Sequence, residues 1–223
     1  MLVQKELKNM YIGEYWWQPW ANTVAYFPLK TDLLDHWPNQ YSMTNLWGVT
    51  ILDWTGYFNW SSRLYKTDIA SWLPLSTNPK TMSLWVKHIS WVTHCWFWRM
   101  YTTYNNQSFI LCMTSWKLWF STRWWGYDFA SSITPSSSQW YYCAVSYDWT
   151  TWTHYINWTQ VNSWSLSTNT SWTTLCLWAS SDTRAWYENF FKWHLSEVII
   201  ENRAWTAQEI ADYYNQTKAN YWL

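Results

Sequence analysis

Glycine is the scarce residue of this chain. Four glycines occur in 223 residues, where ordinary usage of about 7% would supply about 16. Charge is scarce as well. Only 13% of residues are charged, and 14 basic residues balance 14 acidic ones. There is no basic run or patch, which excludes the electrostatic footprint of a nucleic-acid partner. No apolar run approaches the ~20 residues of a membrane span, so no membrane insertion is expected. The opening residues MLVQKELKNMYIGEYWW lack an apolar core and a small-residue cleavage site, so they do not read as a signal peptide. The expected setting is extracellular, or a cell or virion surface, reached as part of a longer surface protein, by another export route, or in a virion. The four cysteines, Cys95, Cys112, Cys143 and Cys176, show no CxxC or other metal-ligand spacing. Each lies in an apolar, strand-like run, as buried free thiols do; one or two disulfides are the alternative in an exported protein.

What the chain has instead is tryptophan, 27 residues of it, with 17 tyrosines. The stretch Trp140–Trp164, WYYCAVSYDWTTWTHYINWTQVNSW, reads as two or three β-strands joined by tight turns. The turns fall at Asp148-Trp149 and Asn157-Trp158. A two-residue type I′ hairpin needs positive φ at both central residues, which is why Asn-Gly and Asp-Gly dominate there. Tryptophan is a poor fit to that backbone. Similar turn-like or small-residue contexts surround Trp37, Trp60, Trp116, Trp124, Trp125, Trp164, Trp172, Trp178, Trp193 and Trp222. These twelve positions would restore the missing glycines. The expectation is a gene that uses UGA for glycine, as some uncultured bacterial lineages and their phages do, read with UGA as tryptophan. Each non-glycine residue forced to left-handed φ costs about 1–2 kcal/mol, against a total stability of about 5–15 kcal/mol.

Residues 1–22 read as a leader or linker, 23–216 as one domain, and 217–223 as a C-terminal tail. Strands are expected at 24–29, 46–52, 56–65 with a turn at 58–62, 81–88, 95–101, 108–113, 117–122, 173–179 and 194–201, besides those of the central stretch. In TMSLWVKH, Met82, Leu84 and Val86 share one face. One helix is expected near 207–216, opened by the capping box Thr206-Ala207-Gln208-Glu209. About a dozen strands with regular turn signals argue for an all-β fold, a β-sandwich or a jelly roll, with one short C-terminal helix.

With glycine at the suspect positions, the chain resembles the laminin G-like domains of the concanavalin A-like lectin/glucanase superfamily. Phe58-Asn59-Trp60-Ser61-Ser62 is similar to the family's Phe-Asn-Gly-Ser turn, and Met82–Lys87 to its strand around a central Trp. Trp140–Asp148 resembles its "Whhvavtyd" strand, and Tyr155-Ile156-Asn157-Trp158 its Tyr-Val-Asn-Gly hairpin. Phe191–Val198 stands for Phe-x-Gly-x-Ile-Asp-Glu-Val, with Ser196 in place of the Asp. Asn202–Ile210 resembles the closing "nRaLtaqEI" helix. Trp85, Trp140, Trp152 and Trp205 fit as true tryptophans or large apolar residues. The resemblance implies a two-sheet antiparallel jelly-roll sandwich and a non-catalytic, lectin-like module that binds a glycan or a surface protein. It also implies a calcium option through an Asp at the loop rim, with Asp148 and Asp182 as candidates.

A sugar site would stack a rim aromatic on the ring and bond its hydroxyls with Asp, Asn or Arg. The loop 180–187, with Asp182, Arg184 and Tyr187, has that mix, and so does 101–107, with Tyr101 and Asn105. Two other readings stand beside this one. The first is a structural module of a phage tail, virion or large adhesin, with no small ligand. The second is a glycan-cleaving enzyme. Glu197 and Glu201 are its nearest approach to a carboxylate pair. Four residues apart on a strand, they would lie about 13 Å apart at ~3.3 Å per residue, against about 5–5.5 Å for a retaining pair. The five histidines, His36, His88, His94, His154 and His194, show no metal spacing.

Overall fold

A computed structural model describes residues 22–36, 41–46, 48–58, 62–67, 77–88, 94–101, 109–114, 117–122, 129–167, 174–177 and 193–223. Fifteen strands are defined in these segments. They are β1 (Thr23–Phe27), β2 (Thr44–Leu46), β3 (Thr50–Leu52), β4 (Thr55–Phe58), β5 (Arg63–Thr67), β6 (Lys80–His88), β7 (His94–Tyr101) and β8 (Phe109–Thr114). There follow β9 (Lys117–Ser121), β10 (Phe129–Ala130), β11 (Trp140–Tyr147), β12 (Thr151–Ile156), β13 (Thr159–Ser165), β14 (Thr174–Leu177) and β15 (Trp193–Glu201). One sheet runs β13-β12-β11-β6-β15-β4-β3, with β1 also paired to β15; the other runs β10-β9-β8-β7-β14-β5-β2. Every described strand pairing is antiparallel, and the architecture is the expected jelly-roll sandwich.

The core lies between the two sheets. Leu84, Val86, Cys143 and Val145 from the first meet Leu111, Phe120 and Leu175 from the second. Phe120 on β9 tilts against Trp152 on β12 with ring centroids 5.1 Å apart. Strand alternation decides which side chains reach this layer. On β6, Met82, Leu84 and Val86 point inward as the sequence pattern predicts. The intervening Trp85 points outward, yet it too is fully buried, because the C-terminal helix covers that face.

Helix α1 (Ala207–Thr217) begins with the capping box. The Glu209 amide donates to Thr206 Oγ1 (3.2 Å), and the Thr206 amide donates to Glu209 Oε2 (2.8 Å). Ile210, Tyr213, Tyr214 and Thr217 face the sheet. Trp85 is their anchor. Its Nε1 donates to Thr217 Oγ1 (3.2 Å), and its ring stacks on Tyr221 at 4.2 Å and on Tyr214 at 5.6 Å. Thr81 and Ser146 fix the chain leading into the helix. The Trp205 amide donates to Thr81 Oγ1 (2.8 Å), and Ser146 Oγ donates to the Trp205 carbonyl (2.9 Å).

Three local readings change. The strand expected over 46–52 is two strands, because Gly48 sits at φ +82° and the Asn45 side chain bonds both the amide and the carbonyl of Val49. Strand β10 is two residues long, too short to carry a periodic signal. Residues 217–223, read as a tail, continue α1 into a 3-10 turn (Lys218–Tyr221) whose Tyr221 is buried under the helix. Cys112, Cys143 and Cys176 are buried and outside any disulfide, as expected; the Cys95 side chain lies outside the described residues. Burial pushes the Cys143 thiol well up, which keeps it protonated.

Two variants separate packing from capping. Trp85→Ala should cost about 3–5 kcal/mol, the range for deleting a large buried aromatic. Thr206→Ala should cost only about 1 kcal/mol. Urea unfolding of the two proteins and the parent checks the ordering.

Candidate functional site

β1 leads into Pro28 and then Leu29, which is fully buried at φ +54°. Facing it, β15 carries a bulge. Ser196 pairs with Trp85 and Ile199 with Ser83, so β15 spends one residue more than β6 over the same interval. The bulge holds Glu197 at φ +50°. The two unusual backbones meet at one carbonyl: Pro28 O accepts from the Glu197 amide (3.1 Å) and from Ser196 Oγ (3.0 Å). Left-handed φ at Leu or Glu is uncommon and persists only where the surroundings enforce it.

The result is a buried carboxylate aimed under α1. Glu197 accepts from the Tyr213 hydroxyl and from Lys30 Nζ. Its side chain is buried, whereas that of Lys30 reaches the surface. Burial and the adjacent Glu197 charge push the Tyr213 phenol well up, so it stays a donor. A buried carboxylate with two such partners is satisfied rather than poised to react.

Lys30 opens onto a hollow of about 590 Å³ lined by Thr31, Ile51, Asp53, Trp54 and Trp222. That volume falls in the ~300–1,000 Å³ range of small-ligand sites. Trp54 and Trp222 are 60% and 88% exposed. Beyond Trp222 lies a second hollow of about 300 Å³, walled by Lys87, Gln139, Trp140 and the serines 136–138. Lys87 Nζ sits 5.1 Å from the Trp140 ring centroid, a cation–π contact. Together the rims offer ammonium and hydroxyl donors, a carboxylate acceptor and flat aromatic surface. That set suits a polyhydroxylated ligand or a polar peptide. The hollow beside Lys30 was not anticipated from sequence, although Asp53-Trp54 carries the same acidic-or-amide-then-Trp signature as the two turns singled out there.

Asp182, Arg184, Tyr187 and Asn105 lie outside the described residues. Tyr101 is the last residue of β7, and only its backbone is described; it pairs with Thr174, the first residue of β14. The loop after β7 therefore departs beside the start of β14, while the loop after β14 departs from Leu177 at the other end. The two predicted sugar loops are rooted at opposite ends of one short strand pair. Asp148 caps a turn: its Oδ1 accepts from the Thr150 amide (3.2 Å), Thr150 Oγ1 (3.2 Å) and the Thr151 amide (2.8 Å). Among the described residues, no group of three or more His, Cys, Asp or Glu is placed to hold a metal ion. Glu201 accepts from Thr23 Oγ1 and pairs with Arg203 (3.4 Å), so each member of the Glu197/Glu201 pair is tied into the scaffold.

The profile of a laminin G-like family in the concanavalin A-like lectin/glucanase superfamily matches residues 64–211. The chain belongs to this family. Solved structures similar to this laminin G-like chain include the binding domain of Paraclostridial mosquitocidal protein 1 (TM-score 0.71, 16% identity, 87% of this chain and 52% of that one). Another is botulinum neurotoxin type C, whose cell entry depends on interaction with two ganglioside molecules (TM-score 0.65, 14% identity, 87% and 51%). A third is the binding domain of botulinum neurotoxin DC in complex with rat synaptotagmin II (TM-score 0.68, 11% identity, 87% and 51%). The laminin G-like chain spans about half the length of each. No curated protein matches it.

Two buried histidines lie in the sheet that carries β15. His194 Nδ1 lies 2.6 Å from Thr55 Oγ1, and burial, then Lys87, lowers its pKa to about 4. His154 on β12 is fully buried, with no partner for either ring nitrogen among the described residues; burial lowers its pKa to about 3. Between those values and the unfolded pKa of ~6.5, the unfolded chain binds protons that the folded chain does not, so stability falls as pH falls through that window. Glu201, raised by burial, works in the opposite sense. Urea midpoints at about pH 7 and about pH 4.5 should therefore differ less in His154→Leu than in the parent.

Proposed function

We propose that this chain is a non-catalytic binding module that recognises a glycan or a protein on a cell or virion surface. The observation that carries this reading is the family match over residues 64–211. The similar solved structures support it: two are binding domains, one of them in complex with a protein, and the third is described with gangliosides. The commitment of Glu197 and Glu201 to scaffold hydrogen bonds supports a non-catalytic role. The extracellular or surface setting is part of the proposal; no helix among the described residues is long and apolar enough to cross a membrane.

Three surfaces are candidates for the ligand. The first is the hollow at Lys30, Thr31 and Asp53. The second is the loop holding Tyr101 and Asn105. The third is the loop holding Asp182, Arg184 and Tyr187. Each of the three has its own test. A glycan array that includes ganglioside headgroups, run with the parent, Asp53→Asn, Tyr101→Ala and Tyr187→Ala, assigns the surface. The true site should lose tenfold or more in affinity, about 1.4 kcal/mol, in one variant and not in the others. Repeating the array with a chelator tests calcium at Asp148 or Asp182. An array without binders, with no capture of purified surface glycoproteins, would favour the structural module instead. Release of reducing ends from β-glucans would overturn the non-catalytic assignment.

A further inference from the structure

Four tryptophans of this chain stand apart in two independent ways. Trp54, Trp149, Trp158 and Trp222 have φ of +59°, +91°, +70° and +58°. The same four are the exposed tryptophans among the described residues, at 60%, 56%, 53% and 88%. The other tryptophans whose side chains are described are buried or half-buried, and none has positive φ.

The strand registers show what each of the four positions requires. Leu52 pairs with Thr55, and the two residues between them, Asp53 (φ +52°) and Trp54, are both left-handed. Ile156 pairs with Thr159, and Asn157 (φ +48°) and Trp158 are likewise both left-handed. Each is a two-residue type I′ hairpin, for which Asp-Gly and Asn-Gly are the favoured pairs. The first residue of each turn obeys the rule, and the second violates it with the bulkiest side chain available. At Trp149 the flanking Asp148 amide bonds the Thr151 carbonyl (3.2 Å), and only the first central residue has positive φ. That is the type II′ pattern, which wants glycine there. Trp222 is the left-handed residue that ends the last 3-10 turn, where glycine is the usual terminator.

The described glycines sharpen the contrast. Gly48 is left-handed, and a Cβ on Gly56 would meet the Leu29 side chain at 3.2 Å. Gly48 sits where the backbone favours glycine, and at Gly56 a side chain would crowd Leu29 and Phe58. Two sequence-stretch suspects behave differently: Trp164 and Trp193 lie in strands without positive φ, and Trp193 is buried in the core. Their backbone makes no demand for glycine.

We infer that residues 54, 149, 158 and 222 are glycine in the protein made by its own cell, inserted at UGA codons that have been read as tryptophan. The inference stands apart from the binding reading, but it changes the surface on which that reading operates. The hollow beside Lys30 loses both aromatic walls, Trp54 and Trp222, and keeps Lys30, Thr31, Ile51 and Asp53. Recognition there then rests on hydrogen bonds and charge rather than on stacking.

The first test reads the gene. UGA is expected at positions 54, 149, 158 and 222, and UGG at the buried Trp85, Trp140 and Trp152. UGG at either 54 or 158 overturns the inference. The second test needs no knowledge of the source cell. Trp54→Gly and Trp158→Gly should each raise the melting temperature by about 2–4 °C, the response of a chain this size to relieving one strained residue. Trp152→Gly, which empties a core position, should lower it sharply. A fall in melting temperature for both turn variants would overturn the backbone argument.

Discussion

Helix α1 lies on the outer face of a sheet whose inner face is already the core, so the central strands β6, β11 and β15 have almost no solvent side. Every residue of β11 and of β15 is buried. A strand covered on both faces reads as a near-continuous apolar run rather than as an alternation, which is why WYYCAVSY and WHLSEVII look as they do. The same constraint governs the polar residues on these strands, since a buried polar group without a partner is costly. Thr81 and Ser146 hold the chain entering the helix, and Glu201 takes Thr23 and Arg203. Glu197 needs a bulge to reach Tyr213 and Lys30. The scaffold of the candidate surface is therefore a by-product of covering one sheet twice.

Much of the fold was legible in the sequence because its signals are local. The inward triplet Met82, Leu84 and Val86, the capping box at Thr206 and Glu209, and the turn at 157–158 each announce themselves within a few residues, while the turn expected at 148–149 falls one residue later, at 149–150. The features that escaped are set by tertiary context. Nothing in TNLWGVTIL separates one strand from two until the Asn45 side chain is seen to substitute for a strand partner at Val49. The bulge at Glu197 leaves no periodic trace, because both faces of β15 are buried and a one-residue slip changes no hydrophobic pattern. The packing of the last residues escaped for a similar reason: Tyr221 is one aromatic among many until Trp85 is seen stacked on it.

The candidate site was less legible. Loop chemistry suggested residues 101–107 and 180–187, of which the structure describes only the Tyr101 backbone, whereas the hollow it does describe joins residues from three distant segments: Lys30 and Thr31, Ile51 to Trp54, and Trp222. Only Asp53-Trp54 carried a signal, and that signal concerned backbone conformation rather than ligand chemistry. In this family of sandwiches the strands fix where loops begin and leave the loops free to vary, so recognition surfaces carry the least sequence periodicity.

The pairing of β1 with β15 has a mechanical meaning. Thr23 faces Glu201, and the Asn202 amide reaches back to the Asn22 carbonyl (3.0 Å). The first described strand thus begins level with the end of the last one. A load applied between residues 22 and 202 would meet this ladder from one end and peel it a hydrogen bond at a time, rather than shearing all of its bonds together. Under such a load, that edge is the seam along which the sandwich would first give way.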